Sequence, residues 1–333
     1  MSSEMNRRAF VARSMAASAG AALAARSGVG RPAQAAEKPT GSSVAGRHEA
    51  TSQVGLPRGK IGDFHVSRLL LGGNLLTHAT HSRDLRYVSS LAAHYNTPKK
   101  ILETLEVAEA NGINTLVIHT VPAALKVLQE HRKRGGKIQW IICPTSPIEP
   151  GLAKYGEHVQ RMVDDGVDAI YIWGCHSDEL VSTGKVDLLG KAVDLVRSQG
   201  LMCGVGSHAL RVVQACVQNR IRADFYIKTF HHHNFPSAPK PGQAGDNYSE
   251  VPSYWCGKPE ETAQLMQGVE KPWIAFKVMA AGAIPPQDAF HYAFQNGADF
   301  VLAGMFDFEI AEDVAIARKV LAGVKLRPRP WRG

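Results

Sequence analysis

The chain has few cysteines and no pairing pattern among them. Cys143, Cys175, Cys203, Cys216 and Cys256 are an odd number with no C-x-x-C spacing, which argues against a disulfide framework. No stripe of Lys and Arg interleaved with aromatics runs along the sequence, so nucleic acid is not an expected partner. Beyond the N-terminal region no segment approaches the apolar length needed to span a bilayer. A Gly-rich phosphate loop is also missing: Gly72-Gly73-Asn74 follows the first strand candidate, which disfavours an open dinucleotide-binding sheet. There is no H-E-x-x-H. What is present is 44% hydrophobic residues in 333, enough for one large core and unlike collagen-like, coiled-coil or disordered compositions.

The first residues read as an export signal. Asn6-Arg7-Arg8-Ala9-Phe10-Val11 has the twin-arginine pattern, Met15 to Ala25 is apolar and rich in small residues, and Ala33-Gln34-Ala35 offers an A-x-A cleavage site. Residues 1–35 hold five arginines and one glutamate, so they carry +4 of the total +8, and the remainder is only mildly basic. The mature product is expected to be soluble, in the periplasm or secreted, after passage through the twin-arginine machinery. That route carries folded cargo and suits a protein loaded with a cofactor or metal before export. Residues 36–59, rich in Gly, Ser, Thr and Pro, read as a flexible linker.

From about residue 60, short apolar or β-branched runs alternate with amphipathic stretches, the rhythm of βα units with a parallel sheet. Strands are expected at Arg68–Gly73, Thr115–His119, Ile138–Cys143, Ala169–Gly174, Met202–Gly206, Phe225–Phe230, Trp273–Val278 and Phe300–Ala303. Thr97-Pro98 and Pro285-Pro286 open two of the helices, the second stopping at Asn296-Gly297. The others fall near 122–133, 154–165, 187–199, 209–219, 259–268 and 309–321. Eight such units predict a single (β/α)8 TIM barrel over residues 60–325, with a lid loop at 231–258 and a C-terminal tail at 326–333.

Nine of the fourteen histidines (His78, His81, His94, His119, His176, His208, His231, His232 and His233) follow a strand, at its C-terminal end or in the loop beyond. In a (β/α)8 barrel those positions converge on the face where such enzymes do their chemistry. His119, His176 and His208 end strands directly. Imidazole is the commonest transition-metal ligand, so these three and one of His231, His232 and His233, with His232 preferred, are the expected ligands of a divalent Zn, Mn, Co or Fe ion. Asp178, Glu149 and Asp84 are candidate carboxylates behind them. Lys277 closes the seventh barrel strand, where a lysine orients a substrate, abstracts a proton or forms a Schiff base, or is a rim lysine paired to a carboxylate. The aromatic residues Tyr95, Trp173, Tyr254 and Trp255 either pack or stack on a sugar ring.

Four stretches resemble the aldo-keto reductase superfamily: Val66 to Asn74, Ala110-Asn111-Gly112-Ile113-Asn114, Asp168 to Asp178, and Gly204-Val205-Gly206-Ser207-His208. The resemblance implies a TIM barrel that reduces carbonyls with NADPH, using an aspartate, a tyrosine, a lysine and a histidine. His176 stands at the histidine position. Val117 occupies the aspartate position, no tyrosine follows within the next turn of chain, and Cys143 stands where the lysine would end its strand. The family's basic phosphate-clamping segment is replaced by Gly304-Met305-Phe306-Asp307-Phe308-Glu309, whose Asp307 and Glu309 would repel an NADP phosphate. The scaffold therefore resembles an aldo-keto reductase without its reductase machinery, and NADP is not the expected cofactor.

These readings predict a metal-assisted lyase, hydrolase or isomerase acting on a small polar, carbohydrate-derived substrate such as a keto-sugar or glycoside, with His176 and Lys277 catalytic. Two alternatives remain: an NADP-dependent aldo-keto-reductase-type oxidoreductase, and a non-catalytic periplasmic binding protein.

Overall fold

The computed structural model describes residues 55–333; the signal-like stretch and residues 36–54 of the linker lie outside the described residues. Described chain begins with an antiparallel hairpin, β1 (Arg58–Ile61) and β2 (Phe64–Ser67), turned at Gly62 with φ +57. Arg58 and Gly59 therefore belong to a strand rather than to the linker expected over 36–59. The apolar residues of the hairpin, Ile61 and Val66, share a buried cluster with side chains from inside the barrel. The hairpin thus covers the end of the cylinder where the barrel strands begin.

Eight parallel strands then close a barrel: β3 (Leu69–Gly72), β4 (Thr115–His119), β5 (Gln139–Cys143), β6 (Ala169–Ile172), β7 (Met202–Ser207), β8 (Phe225–Thr229), β9 (Trp273–Phe276) and β10 (Phe300–Ala303), with β10 pairing back onto β3. The expected (β/α)8 architecture is what the structure shows. Its strands read as near-continuous apolar runs because both of their faces are buried. Leu70, Val117, Ile141, Ala169, Phe225, Ile227, Ile274, Phe300 and Leu302 fill the interior. Their alternating neighbours, among them Leu69, Leu71, Leu116, Ile118, Val205 and Val301, pack outward under the helices.

The outer layer comprises α1 (Arg86–Tyr95), α2 (Pro98–Ala110), α3 (Pro122–Lys133), α4 (Ala153–Asp164), α5 (Gly174–Ser182), α6 (Val186–Ser198), α7 (Leu210–Gln218), α8 (Pro259–Gln267), α9 (Pro286–Gln295) and α10 (Ile310–Gly323). Four of them open on proline, whose fixed φ and missing N–H suit a first helical position. At α2 the Thr97 side chain also accepts from the Lys100 amide. Helices α1 and α5 were not expected. Both lack a side-chain cap, and α5 opens on Gly-Cys-His-Ser, residues of poor helix propensity that tertiary packing overrides. The strand expected to run to Gly174 accordingly stops at Ile172. No helix of the described residues is long and apolar enough to cross a membrane.

The segment expected as a tail is part of the core. Arg329 is fully buried and donates to the carbonyls of Met266, Gly297, Val269 and Lys271 and to Asp299 Oδ2 at 2.6 Å. Asp299 also accepts the amides of Trp273 and Arg332. Arg68 donates to the carbonyl of Asp299 and lies 4.1 Å from the Trp331 ring, which also meets Arg327 at 3.4 Å and the Phe294 ring. These residues lock the ends of β3, β9 and β10 remote from the site.

Candidate active site at the C-terminal mouth

The mouth is built from the last inward-pointing positions of the strands. Alternation from Val117, Ile141, Ala169, Ile227 and Ile274 places His119, Cys143, Tyr171, Thr229 and Phe276 toward the opening. Strand β7 contributes glycine at Gly204 and Gly206. A Cβ at Gly206 would stand 2.9 Å from the Ile172 carbonyl oxygen, so the close approach of β6 and β7 requires glycine there. At Gly174 a Cβ would stand 3.3 Å from His208 Cε1, so glycine there leaves room for that ring.

His208 is buried and held from one side. Its Nδ1 donates to Asp178 Oδ2 at 2.8 Å, while Asp178, on α5, also accepts the amides of His208 and Ala209. A carboxylate acceptor fixes the Nδ1–H tautomer, which leaves the Nε2 lone pair without a partner among the described residues. Burial pushes the imidazole down to about 4, with the charge of Lys277 adding to the effect and Asp178 opposing it. At neutral pH it is a neutral ring with a free acceptor.

On the other side stands Lys277, the first residue after β9, in a left-handed conformation at φ +55. Ala280 and Ala281 follow at φ +46 and +54. Non-glycine residues in this region store strain, which collects at functional sites. Lys277 Nζ lies 2.9 Å from His81 Nε2, and His81 Nδ1 lies 2.8 Å from Glu250 Oε1. Glu250 Oε2 in turn accepts the Arg83 amide. Because Glu250 accepts from Nδ1, His81 Nε2 is the acceptor for the lysine. Desolvation pushes the Lys277 amine down to about 8. Aromatic rings enclose the amine: Tyr248 at 5.1 Å, Phe276 at 5.7 Å and Trp255 at 5.8 Å. Tyr248 also packs on His208, with ring centroids 4.7 Å apart. The lysine and the histidine therefore flank one tyrosine from the lid loop.

The lid loop is tied down at its base. His231 Nε2 accepts the amides of Trp255 and Cys256, its Nδ1 donates to the His232 carbonyl, and Thr229 Oγ1 donates to the Trp255 carbonyl. Burial pushes His231 down to about 3, far below the ordinary 6.5, as it does His208. The unfolded chain then binds more protons than the folded one between about pH 6.5 and about pH 3. Stability is expected to fall as pH is lowered through that window, by up to about 1.4 kcal/mol per pH unit for each such histidine. Thermal unfolding midpoints measured from pH 7 to pH 4 check this, and a flat profile would contradict it.

The expected metal ligands do not come together. Among the described residues no group of three or more His, Cys, Asp or Glu is placed to hold a metal ion. His208 donates Nδ1–H to Asp178 and keeps Nε2 open, but the other proposed ligands do not join it in such a group. His176 lies in the first turn of α5 with its ring against Trp173, centroids 5.2 Å apart. His232 pairs with Asp288 at 3.2 Å and packs on Tyr292 in the outer layer between strand and helix. His119 reaches the mouth alone, lowered from its usual pKa by burial. The donor set proposed from sequence does not fit a metal centre, because strand-end position fixes which rim a side chain occupies but not where its ring points.

Of the candidate carboxylates, Asp178 does support a histidine. The residues that complete the site, His81, Glu250 and Tyr248, come from loops, and Tyr171 and Cys175 lie nearby. His81 stood among the nine histidines, whereas Glu250 and Tyr248 gave no sequence signal beyond membership of the long loop. Among the aromatic candidates, Trp255 walls the lysine. Tyr254 serves the lid by accepting the Gly245 amide, and Tyr95 donates to Asp307 at 2.6 Å. Asp307 is further paired with Lys100 at 3.1 Å. At the family's aspartate position Val117 is core, and at the lysine position Cys143 is fully buried, its thiol pushed up to about 12 by burial.

Compared with solved structures, the chain is similar to two described as an aldo-keto reductase of Pseudomonas aeruginosa. One is 18% identical, covering 81% of this chain and 96% of that one at a TM-score of 0.52. The other is 16% identical over 82% and 99%, at 0.54. These neighbours show the fold: an aldo-keto-reductase-like (β/α)8 barrel. No protein-family model matches the chain, and no curated protein matches it.

Proposed function

We propose that the chain is an enzyme that moves protons on a small polar, carbonyl-bearing substrate, a lyase or isomerase acting on an oxidised sugar or a compound like it, exported to the periplasm. The observation that carries this reading is the pair of basic groups packed against one tyrosine at the mouth of the barrel. Lys277, relayed through His81 to Glu250, stands on one side of Tyr248, and His208, fixed by Asp178, stands on the other. Two bases with separately set proton affinities are what removal of a proton at one atom and its return at another require. Tyr248, partly exposed, offers a ring face to a sugar.

The reductase reading has less support. Val117 and Cys143 provide neither carboxylate nor ammonium, and Asp307 with Glu309 stands where an NADP phosphate would need cations.

Deuterium exchange tests the proposal. Incubated in D2O with a panel of keto-sugars, the protein is expected to exchange a C–H beside the carbonyl, followed by proton NMR. His208→Asn is expected to slow that exchange about 10²- to 10⁴-fold, the usual range for loss of a general base. Exchange that is undiminished in His208→Asn and in Lys277→Met would refute the assignment.

A further inference from the structure

Resting on that reading, we propose that Lys277 acts as a nucleophile and condenses with an aldehyde or ketone carbonyl of the substrate to form an imine. Three features of its surroundings favour a nucleophile over a charged anchor. No carboxylate lies within ion-pair distance of Nζ among the described residues, its one hydrogen-bond partner being the imidazole of His81. Rings of Tyr248, Phe276 and Trp255 stand 5.1 to 5.8 Å from the amine in place of water; their faces attract an ammonium weakly, and the loss of hydration that they and the surrounding chain impose outweighs this and disfavours the charge. The left-handed backbone at Lys277 directs this residue out of the strand's alternation, a strained placement that packing alone does not need. The downward shift of its amine is in keeping with this environment.

The chemistry closes without an external oxidant or reductant. The ammonium of Lys277 gives a proton to His81 Nε2, and the resulting imidazolium is held by Glu250 through Nδ1. The free Nζ pair attacks the carbonyl carbon, forming C–N while the C=O π pair moves to oxygen, and the proton that nitrogen must lose passes to that oxygen to give the neutral carbinolamine. The His81 imidazolium gives its proton to that hydroxyl, the C–O bond breaks to release water, and the nitrogen pair forms the protonated C=N. The protonated imine draws electrons from the adjacent carbon, whose proton passes to the unpartnered Nε2 of His208. That loss leaves an enamine; His208 Nε2–H returns a proton to carbon to restore the protonated imine, water adds to C=N and the C–N bond breaks to release the carbonyl compound, and His81 and the amine regain their starting protons.

Reductive trapping reads this directly. The full chain is incubated with glycolaldehyde or pyruvate and sodium borohydride, digested, and its peptides are weighed by mass spectrometry. Lys99, almost fully exposed, serves as the internal reference for ordinary surface amines. Lys277 is expected to gain the reduced adduct at least about tenfold faster than Lys99 at pH 7, because a greater fraction of its amine is free. The advantage is expected to shrink as the pH is raised above 10. His81→Gln is expected to slow adduct formation at Lys277 and shift its pH midpoint while leaving Lys99 unchanged, as a positioning residue should. No adduct at Lys277, or one no faster than at Lys99, overturns the imine. If Lys277-dependent C–H exchange persists in that case, the lysine is a general base and the proton-transfer reading stands. If exchange is absent as well, both fail.

Discussion

Replacing Lys277 with methionine is expected to lower the rate of substrate C–H exchange by about 10³-fold or more while leaving the fold intact. Methionine keeps the length and apolar stem, so the contacts with Phe276 and Trp255 survive, and the change removes a strained, partly desolvated amine rather than a core group. A loss of that size is about 4 kcal/mol of transition-state stabilisation. Circular dichroism and the unfolding midpoint provide the control for folding. A Lys277→Met protein that exchanges within tenfold of the parent would show that the amine takes no part in the chemistry. The pH dependence follows from the same group. The free amine is the reactive form and its folded pKa is about 8, so kcat/KM is expected to rise with pH and level off above about 8 to 9. His208, at about 4, is already deprotonated across that range.

The second large effect lies at the opposite end of the barrel. Arg329→Met is expected to destabilise the protein by about 3 to 5 kcal/mol, because Asp299 is left as a fully buried carboxylate without its cation. Four carbonyls lose a donor at the same time. For a domain of this size that corresponds to a midpoint lowered by about 10 °C. Asp299→Asn in the Arg329→Met background is expected to recover part of the loss, since an amide is cheaper to bury than an unpaired charge. Denaturant titration of the two single variants and the double variant measures the coupling. Additive losses would mean that the arginine and the aspartate act independently.

The barrel was legible because its evidence is local. Each strand is a short run buried on both faces, so Leu69 to Gly72 or Thr115 to His119 reads as a strand from composition alone, and the prolines at 98, 122, 259 and 286 mark where helices begin. The accumulation of histidines after strands placed them at one end of the cylinder for the same reason: chain order fixes strand polarity, and polarity fixes the rim. Elements without local signals were not legible. Helix α5 has an unfavourable first turn, and α1 has no cap. Residues 326–333 are short and basic, which reads as an exposed tail until Asp299 supplies the buried carboxylate.

The candidate site was half visible. Lys277 and His208 could be named from their positions at strand ends, but the partners that define their chemistry lie far away in sequence. His81 and Lys277 are separated by 196 positions, and His81 and Glu250 by 169. The four histidines proposed as ligands illustrate the same point, since His232 turned to Asp288 and His176 to Trp173.

By itself the sequence determined a closed barrel, the rim on which its histidines gather, and Val117 and Cys143 at the positions where the resemblance implies an aspartate and a lysine. Only the tertiary structure decided that Lys277 leans on His81 and Glu250, that His208 is held by Asp178 while His176 and His232 turn to other partners, and that the last residues plug the base. Periodicity and polarity act along the chain and leave their mark in it. Hydrogen-bond partnership and proton affinity depend on which side chains from distant loops meet in a dry space, and that is settled only when the cylinder closes.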